Sequence, residues 1–167
     1  MPVGANLDLD RIVQVDFRQT YDANMARYSL YALYNRFVPD IHDGLKPVQR
    51  RILYSMWNNA ITSKGRKRKS ANTVGDTMGK YHPHGDTSIY NAMKCLTNWF
   101  EIKMPLIHYD SNSGSIQGGD HAAMRYTESY LSSFAVDCVI GEYAESDTVV
   151  DKMHTFDNKE WEPEYFP

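Results

Sequence analysis

Residues 79–90 are the part of this sequence that most constrains how the chain can fold. Two histidines flank Pro83, which stiffens the backbone, while Gly79 and Gly85 let it bend on either side. Asp86 is placed to cap a helix that begins at this point. The stretch therefore predicts a stiff, basic loop that leads directly into a helix.

The helix after this loop is predicted to be amphipathic. Its apolar residues recur at helical spacing: Ile89, Met93, Leu96 and Phe100. Its opposite face is polar and mostly uncharged: Thr87, Asn91, Lys94 and Asn98. Nucleic-acid recognition helices have this profile, and so do many ordinary surface helices.

Basic residues are concentrated around this region, although the chain of 167 residues has a net charge of only −3. Between Lys46 and Lys80, Asp76 is the only acid among many lysines and arginines, whereas acids dominate residues 137–164. A basic stripe on a near-neutral chain is a local electrostatic footprint. It indicates a binding site for a polyanion.

Composition bounds the class of protein. Hydrophobic residues make up 42% of the chain, which indicates a globular protein, and the length suits either one domain with a core or one domain plus an appendage. Cys95 and Cys138 each fall in a predicted helix, so we expect structural thiols and neither a disulfide nor a zinc site. No signal peptide precedes residue 30 and no apolar run approaches membrane length, so a cytoplasmic protein without membrane contact is expected.

The segments before the loop are predicted to be helical. Residues 1–19 are expected to form an arm, and Thr20 or Asp22 to cap a helix that runs to about Phe37. A helix over residues 47–60 is predicted to bury Val48, Ile52, Leu53 and Met56 and to display Gln49, Arg50 and Arg51. A solvated charged loop at 64–69 and a short helix at 70–78 follow.

The segments after the loop predict a small β wing. Residues 105–109 are expected to form a strand, and the glycine-rich residues 111–120 a turn. A helix is predicted to begin near residues 127–129 and to end at Gly141, and residues 148–156 to be extended. The expected fold is mainly α with a small β wing. It is a winged-helix (helix-turn-helix) domain over residues 38–156, preceded by an N-terminal arm and helix over 1–37.

His82 and His84 are the first candidates for chemistry. They could bind a metal with Asp86 or His121 as a third ligand, contact a phosphate together with Lys80, or be purely structural. No third ligand is obvious in the sequence, so the metal hypothesis is weak. The other two alternatives stay open.

Arg125 and Tyr126 are the second candidate. A phenol has a pKa of about 10, so it is a poor nucleophile unless its phenolate is stabilised. Arg125 and the N-terminal dipole of the helix predicted over 128–140 would supply that stabilisation. A core role is the alternative for any tyrosine, and chemistry alone does not select Tyr126 from the twelve in the sequence.

Three motifs then occur in order: DGLKPVQRRILY at 43–54, VGDTMGKYHPHGD at 74–86 and AAMRYTE at 122–128. With them the sequence resembles the breakage–reunion (A) subunit of bacterial type IIA DNA topoisomerases, as found in gyrase and in topoisomerase IV. The resemblance runs from about Tyr21 to the end of the chain. It implies the N-terminal winged-helix portion of that subunit.

The resemblance implies that Tyr126 attacks a DNA backbone phosphate and forms a reversible 5′-phosphotyrosyl link in a double-strand gate. Residues matching other active-site positions are Arg125, His84, His82 and Arg36, with His84 the better suited to stabilise the transition state. Lys46, Arg50 and Arg51 match DNA-contacting positions. Lys80, Thr87, Asn91 and Lys94 complete the expected DNA-binding set from the polar face and the loop.

The sequence also departs from the family's usual motifs. Thr87 and Asn91 match the positions of the quinolone-binding serine and acid, so they form a candidate drug pocket in which the acid is replaced by an amide. Residues 111–115 read SNSGS where the family usually has GNFGS, and 69–72 read KSAN where it has KSAR. These differences indicate a divergent member.

The resemblance further implies partners and cofactors. Double-stranded DNA would be the substrate, and a TOPRIM/ATPase (B-type) subunit would hold Mg²⁺ and hydrolyse ATP, so no metal ligand is assigned to this chain. A nucleoid-associated homodimer is expected for the full-length protein. Residues 157–167 would begin a tower-like region that is cut short, and the chain would be catalytic only with its partner and the regions beyond it. The alternative is a non-catalytic winged-helix module that binds DNA or sequesters a topoisomerase partner.

Overall fold

The computed structural model describes residues 13–141, 152–154 and 161–166. It divides into two compact units at the junction of Phe37 and Val38. Within the described ranges, no helix is both long enough and apolar enough to cross a membrane.

The N-terminal unit is built around one helix. Helix α1 spans Phe17–Ala32 and continues as a π-helical segment over Leu33–Phe37. The Asp16 carboxylate caps α1 by accepting a hydrogen bond from a backbone N–H of the first turn at 2.8 Å. The prediction that Thr20 or Asp22 forms the cap is wrong, because the carboxylate further upstream already satisfies the start of the helix.

Three helices form the core of the second unit. They are α2 over Pro47–Asn58, α3 over Ser70–Lys80 and α4 over Asp86–Cys95, and α2 packs against both of the others. The apolar faces predicted from helical spacing are buried: Ile52, Leu53, Met56, Ile89, Met93 and Leu96. The predicted helices on either side of the histidine-bearing loop are therefore confirmed.

A three-stranded antiparallel sheet forms the wing. Its strands are β1 over Arg68–Lys69, β2 over Ile107–Tyr109 and β3 over Glu128–Leu131, in the order β1-β3-β2. Ile107 pairs with Leu131 and both side chains are fully buried, which packs the wing against the hydrophobic core. The predicted fold class, mainly α with a small β wing, is confirmed.

Strand β1 lies at the end of residues 64–69, where the sequence predicts a solvated loop. Arg68 and Lys69 pair with Ser129 and Glu128 of β3. The Lys69 ammonium also lies 2.9 Å from the Glu128 carboxylate. A partner this distant in the chain decides the conformation of so short a strand, and local propensity does not reveal it.

Residues 128–140 differ from the single helix that the sequence predicts. They form β3 and then a π-helical segment over Ala135–Ile140. Burial alternates along β3, with Ser129 and Leu131 inside, and this two-residue period belongs to a strand. Tyr126 therefore precedes a strand, and the prediction that a helix dipole acts on it is wrong.

Helix α4 also begins and ends differently from its prediction. Gly85 is the N-cap and Asp86 is the first helical residue, so the predicted cap is displaced by one position. The helix ends before Asn98 and Phe100. Asn98 is buried and its side-chain amide donates a hydrogen bond to the carbonyl of Ser113 at 3.2 Å, so it does not belong to the polar front.

A second antiparallel pair joins β4, Lys152–His154, to β5, Trp161–Pro163. The extended stretch predicted at 148–156 is confirmed at β4, and its other residues lie outside the described ranges. Cys95 and Cys138 are free thiols as predicted, although Cys138 is exposed and has no structural role in the core.

A buried ion pair fixes the entry to α2. The Asp43 carboxylate accepts hydrogen bonds from Arg50 Nε at 2.6 Å and Nη2 at 2.9 Å, and the two side chains are only 2% and 8% exposed. It also accepts from the backbone N–H groups of Leu45 and Phe166. The prediction that α2 displays Arg50 is wrong, because this carboxylate holds the guanidinium inside the protein.

Replacing Asp43 with alanine should destabilise the chain by about 3 kcal/mol, since the buried Arg50 guanidinium then loses two hydrogen bonds to a carboxylate and keeps only the Asp40 carboxylate at 4.0 Å. Urea denaturation followed by circular dichroism measures this change. Asp120→Ala removes a carboxylate from an exposed loop and should change the free energy of unfolding by less than about 0.5 kcal/mol. Equal effects of the two substitutions would contradict the assignment of Asp43 as a buried hub.

Candidate functional site

Tyr126 belongs to a short segment, residues 122–127, which we call the tyrosine turn. Its side chain is 64% exposed, and the guanidinium carbon of Arg125 lies 4.9 Å from the centroid of its ring. Its backbone N–H donates to the carbonyl of Ala123 at 2.9 Å. The turn thus presents a phenol to solvent with a cation held against its ring by cation–π attraction.

Hydroxyl groups hold the tyrosine turn from two helices. Thr127 Oγ1 donates to Ser70 Oγ at the first residue of α3 at 2.7 Å, and the Ser70 backbone N–H donates to the Thr127 carbonyl at 3.0 Å. The Tyr90 hydroxyl of α4 donates to the carbonyl of Ala122 at 2.7 Å. Ser70 and Thr127 are fully buried, so water does not compete for their bonds. The backbone on both sides of Tyr126 is therefore fixed.

Sequence reasoning does not find Ser70, Tyr90 or Thr127 as supports of this turn. Buried hydroxyls must find partners, but Ser70 and Thr127 are 57 residues apart in the chain. The sequence offers one indication, which is a small polar residue next to residues that helical or strand periodicity places in the core. Such a residue is expected to have a hydrogen-bond partner, but the sequence does not show which residue it is.

His82 and His84 lie in the loop over residues 81–85, which we call the histidine loop. The His82 backbone N–H donates to the carbonyl of Thr77 at 2.8 Å, and the His84 N–H donates to the carbonyl of His82 at 2.7 Å. The two imidazole rings stack with their centroids 4.3 Å apart. His82 is buried and His84 is half-buried, so the pair has a defined orientation.

Arg51 connects the histidine loop to the C-terminal segment. Its Nη1 donates to His82 Nδ1 at 2.9 Å. Its Nε and Nη2 donate to the two carboxylate oxygens of Glu162 at 2.6 and 2.9 Å. Sequence reasoning predicts an exposed Arg51 that contacts DNA, whereas the structure directs its guanidinium into the protein.

The tyrosine turn and the histidine loop are attached to opposite ends of α3. Ser70 at the first residue bonds to the tyrosine turn, and Lys80 at the last residue leads into the histidine loop. A helix of this length separates its ends by about 15 Å. Two clusters are therefore present in one chain: Arg125 beside Tyr126, and Arg51 beside the two histidines.

Lys80 is engaged with Asp76 on the surface of α3. The ammonium lies 2.7 Å from the Asp76 carboxylate, which also accepts from Ser55 Oγ and Asn59 Nδ2. Burial raises the pKa of Asp76, but the hydrogen bonds from Lys80, Ser55 and Asn59 outweigh it and hold that pKa below its ordinary value of 3.8.

The other predicted DNA-binding residues are spread over several elements. Lys46 immediately precedes α2 and is half-buried, while Thr87 and Asn91 are exposed on the first half of α4 and Lys94 is half-buried in its last turn. Arg36 lies in the π-helical segment of the N-terminal unit. Their roles stay predictions.

The donor atoms around these clusters do not suit a metal ion. Among the described residues, no group of three or more histidine, cysteine or acidic side chains is arranged to bind one. The rings of His82 and His84 stack instead of converging, and the Glu128 carboxylate near the tyrosine turn is paired with Lys69. The residues of these two clusters therefore do not fit a magnesium ion.

Comparison with known sequences identifies the family. The sequence model for the A subunits of DNA gyrase and topoisomerase IV matches residues 36–167. The chain belongs to this family of topoisomerase A subunits. The match covers the tyrosine turn, the histidine loop and all three core helices.

Individual relatives agree with this assignment. The chain is 41% identical over 153 residues to the DNA gyrase A subunit of Deinococcus deserti, covering 92% of this chain and 18% of that protein. It is 38% identical over 157 residues to the DNA gyrase A subunit of Spiroplasma citri, covering 94% of this chain and 68% of that sequence. It is 52% identical over 109 residues to the DNA topoisomerase 4 A subunit of Staphylococcus aureus, covering 65% and 14%. The matched part of the chain thus spans less than a fifth of the length of the Deinococcus deserti and Staphylococcus aureus A subunits and about two thirds of the Spiroplasma citri sequence.

The Asp76 cluster predicts a pH dependence of stability. Because the pKa of Asp76 is lower in the folded chain than in the unfolded one, its contribution is present above about pH 4 and is lost as the pH falls through the folded value. Asp76→Asn should therefore flatten the loss of stability that occurs as the pH falls below about 4. Unfolding in urea across this range measures the slope, and Asp137→Asn, at an exposed site, should leave it unchanged. Parallel pH curves for wild type and Asp76→Asn would contradict the assignment.

Proposed function

We propose that this chain is the DNA-cleavage domain of a type IIA topoisomerase and that Tyr126 is its nucleophile. The phenol oxygen attacks the phosphorus of a backbone phosphodiester, the bond from phosphorus to the 3′ oxygen breaks, and that oxygen leaves as a hydroxyl. The phenol loses its proton to solvent, the departing 3′ oxygen takes up a proton from solvent, and the tyrosine becomes joined to the 5′ phosphate. The reverse attack by the 3′ hydroxyl reseals the strand.

The observation that supports this proposal is the setting of Tyr126. It is exposed although Thr127 beside it is fully buried and the turn is bonded to two helices. Holding the backbone fixed reduces the entropy that is lost when the phenol is aligned with a phosphate. Arg125 is close enough to the ring to offset the negative charge that develops on the phenol oxygen and the phosphate.

The histidine loop is assigned to the same chemistry. His84 is proposed to donate a hydrogen bond to the phosphate in the transition state, with His82 as a second hydrogen-bond donor beside it. Arg36 is proposed to act as a further cation. Because the tyrosine turn and the histidine loop occupy opposite ends of α3, we assign them to one phosphate through a second copy of the chain. This separation supports a homodimer as the working form of the full-length protein.

The remaining components are proposed to come from outside this chain. A TOPRIM/ATPase subunit would hold Mg²⁺ and use ATP for strand passage, and double-stranded DNA would be the substrate. The exposed residues Thr87 and Asn91 would face the DNA from α4, and they are the proposed drug-pocket positions. The complete machine would be located with the nucleoid in the cytoplasm.

The alternative is a module that binds DNA or a topoisomerase partner without cutting. The basic residues of the chain and the proposed winged-helix fold are compatible with DNA binding alone. It gives no reason for an exposed tyrosine with an arginine against its ring, so the cleavage hypothesis is preferred.

Formation of a covalent adduct tests the cleavage hypothesis. The chain is mixed with a TOPRIM subunit, Mg²⁺ and end-labelled duplex DNA, and the reaction is stopped with detergent. Wild type should give a DNA–protein adduct, and Tyr126→Phe should give none because the attacking oxygen is absent. Tyr34→Phe is the matched control, since that tyrosine is similarly exposed in the N-terminal unit. DNA binding without an adduct for wild type would favour the non-catalytic alternative.

The salt dependence of DNA binding tests the basic surface. Lys46→Ala should weaken binding and lower the slope of log affinity against log salt by about one, as expected for one lost phosphate contact. Arg50→Ala should instead reduce stability, because Arg50 is buried against Asp43. Fluorescence anisotropy over a salt series measures the slope. Lys103→Ala removes the same charge at an exposed site and should leave the slope as in wild type. Equal slopes for wild type and both lysine variants would remove Lys46 from the interface.

A further inference from the structure

Glu162 is a buried carboxylate that the proposed cleavage chemistry does not use directly. Its side chain is 6% exposed and binds Arg51 through both oxygens, at 2.6 and 2.9 Å. Two parallel hydrogen bonds fix the plane of a guanidinium as well as its position. A charge that is costly to bury is thus used to orient one arginine.

The segment that carries Glu162 is itself anchored to the start of α2. The Phe166 side chain is fully buried, and its backbone N–H donates to the Asp43 carboxylate at 3.1 Å. The Tyr165 ring stacks on His42 with centroids 4.1 Å apart. Glu162 therefore lies on a fixed support.

The remaining nitrogen of Arg51 determines the hydrogen-bonding state of His82. A guanidinium can only donate, so the bond of 2.9 Å requires His82 Nδ1 to accept. The ring proton of His82 is then on Nε2.

The ring of His82 is held from a second side by His84. The rings stack with an angle of 21° between their planes, and the backbone of the loop is bonded at both histidines. With Nδ1 occupied by Arg51, Nε2–H is the hydrogen-bond donor of the His82 ring. A ring nitrogen that carries a proton can stabilise a phosphate oxygen that gains negative charge, whereas an unprotonated Nε2 cannot.

We propose that Glu162 is a positioning residue that, through Arg51, holds His82 in the neutral Nε2–H form as a hydrogen-bond donor. Arg51 is then a link within the protein and not a direct phosphate contact. The effect on cleavage rests on the proposed function, whereas the effect on the His82 tautomer does not. The two can therefore be tested separately.

The tautomer is measured by ¹⁵N NMR of the chain labelled at histidine, with the His82 signals assigned by loss in His82→Gln. Wild type should show an unprotonated, hydrogen-bonded Nδ1 and a protonated Nε2. Glu162→Gln should release Arg51 and give a mixture of the two tautomers. Glu164→Gln, the same change at an exposed position two residues away, should keep the wild-type signals.

Arg51→Lys is a second variant that tests the effect on the His82 tautomer if Glu162→Gln does not fold. A lysine keeps the positive charge but cannot make the paired bonds to Glu162 and the bond to His82 in one plane. The tautomer should again become mixed. A protonated Nδ1 in wild type, or unchanged signals in both variants, would overturn the proposal.

The adduct assay then tests the consequence for cleavage. Glu162→Gln should reduce the rate of adduct formation by about tenfold, as is typical when an outer partner of an active-site group is removed. The affinity of the variant for DNA should be unchanged, whereas a general loss of structure would lower the affinity as well. If wild type forms no adduct, the proposed function fails while the NMR result still decides the role of Glu162. A mixed tautomer with an undiminished adduct rate would overturn the positioning role in cleavage.

Discussion

The second unit depends on the carboxylate of Asp43. It neutralises Arg50 at the buried side of α2, accepts from the backbone at the start of that helix and accepts from the N–H of Phe166. One side chain thus joins the entry loop, the first core helix and the C-terminal segment. Removing it would leave a buried guanidinium and unpaired backbone groups, each of which costs free energy.

The same carboxylate supports the candidate site at a distance. Asp43 anchors the segment that carries Glu162, Glu162 orients Arg51, and Arg51 bonds to His82. Every bond in this series lies among residues with little exposure, where competition by water is weak. Some charges of the basic motif at 43–54 therefore stabilise the fold, and Lys46 is the residue of this motif that is proposed to contact DNA.

The sequence predicts those features that depend on local periodicity. Ile52, Met56, Ile89 and Met93 have helical spacing, and all four are in the core where the pattern places them. The histidine loop is likewise visible in advance, because Pro83 and its flanking glycines have defined local effects. Membership in the family is also predictable from three ordered motifs, and the match over residues 36–167 confirms it.

The rest depends on contacts between distant parts of the chain. The exposure of Arg50 is mispredicted because its counter-charge lies in the preceding loop, and that of Arg51 because Glu162 is 111 residues away. The strand at Glu128–Leu131 resembles the start of a helix until its pairing with β2 is known. For the two arginines and for the strand, the sequence shows the charge or polarity of each residue but does not show its partner.

Helix α3 sets the distance and the relative orientation of the two candidate clusters. Its first residue is bonded to the tyrosine turn and its last residue leads to the histidine loop, with no break between them. Inserting one residue would rotate one cluster relative to the other by about 100° and lengthen the separation by about 1.5 Å. The length of this helix is therefore as constrained as the identity of the residues at its ends, whereas the exposed residues 115–120, which precede the tyrosine turn, can vary in number without changing that spacing.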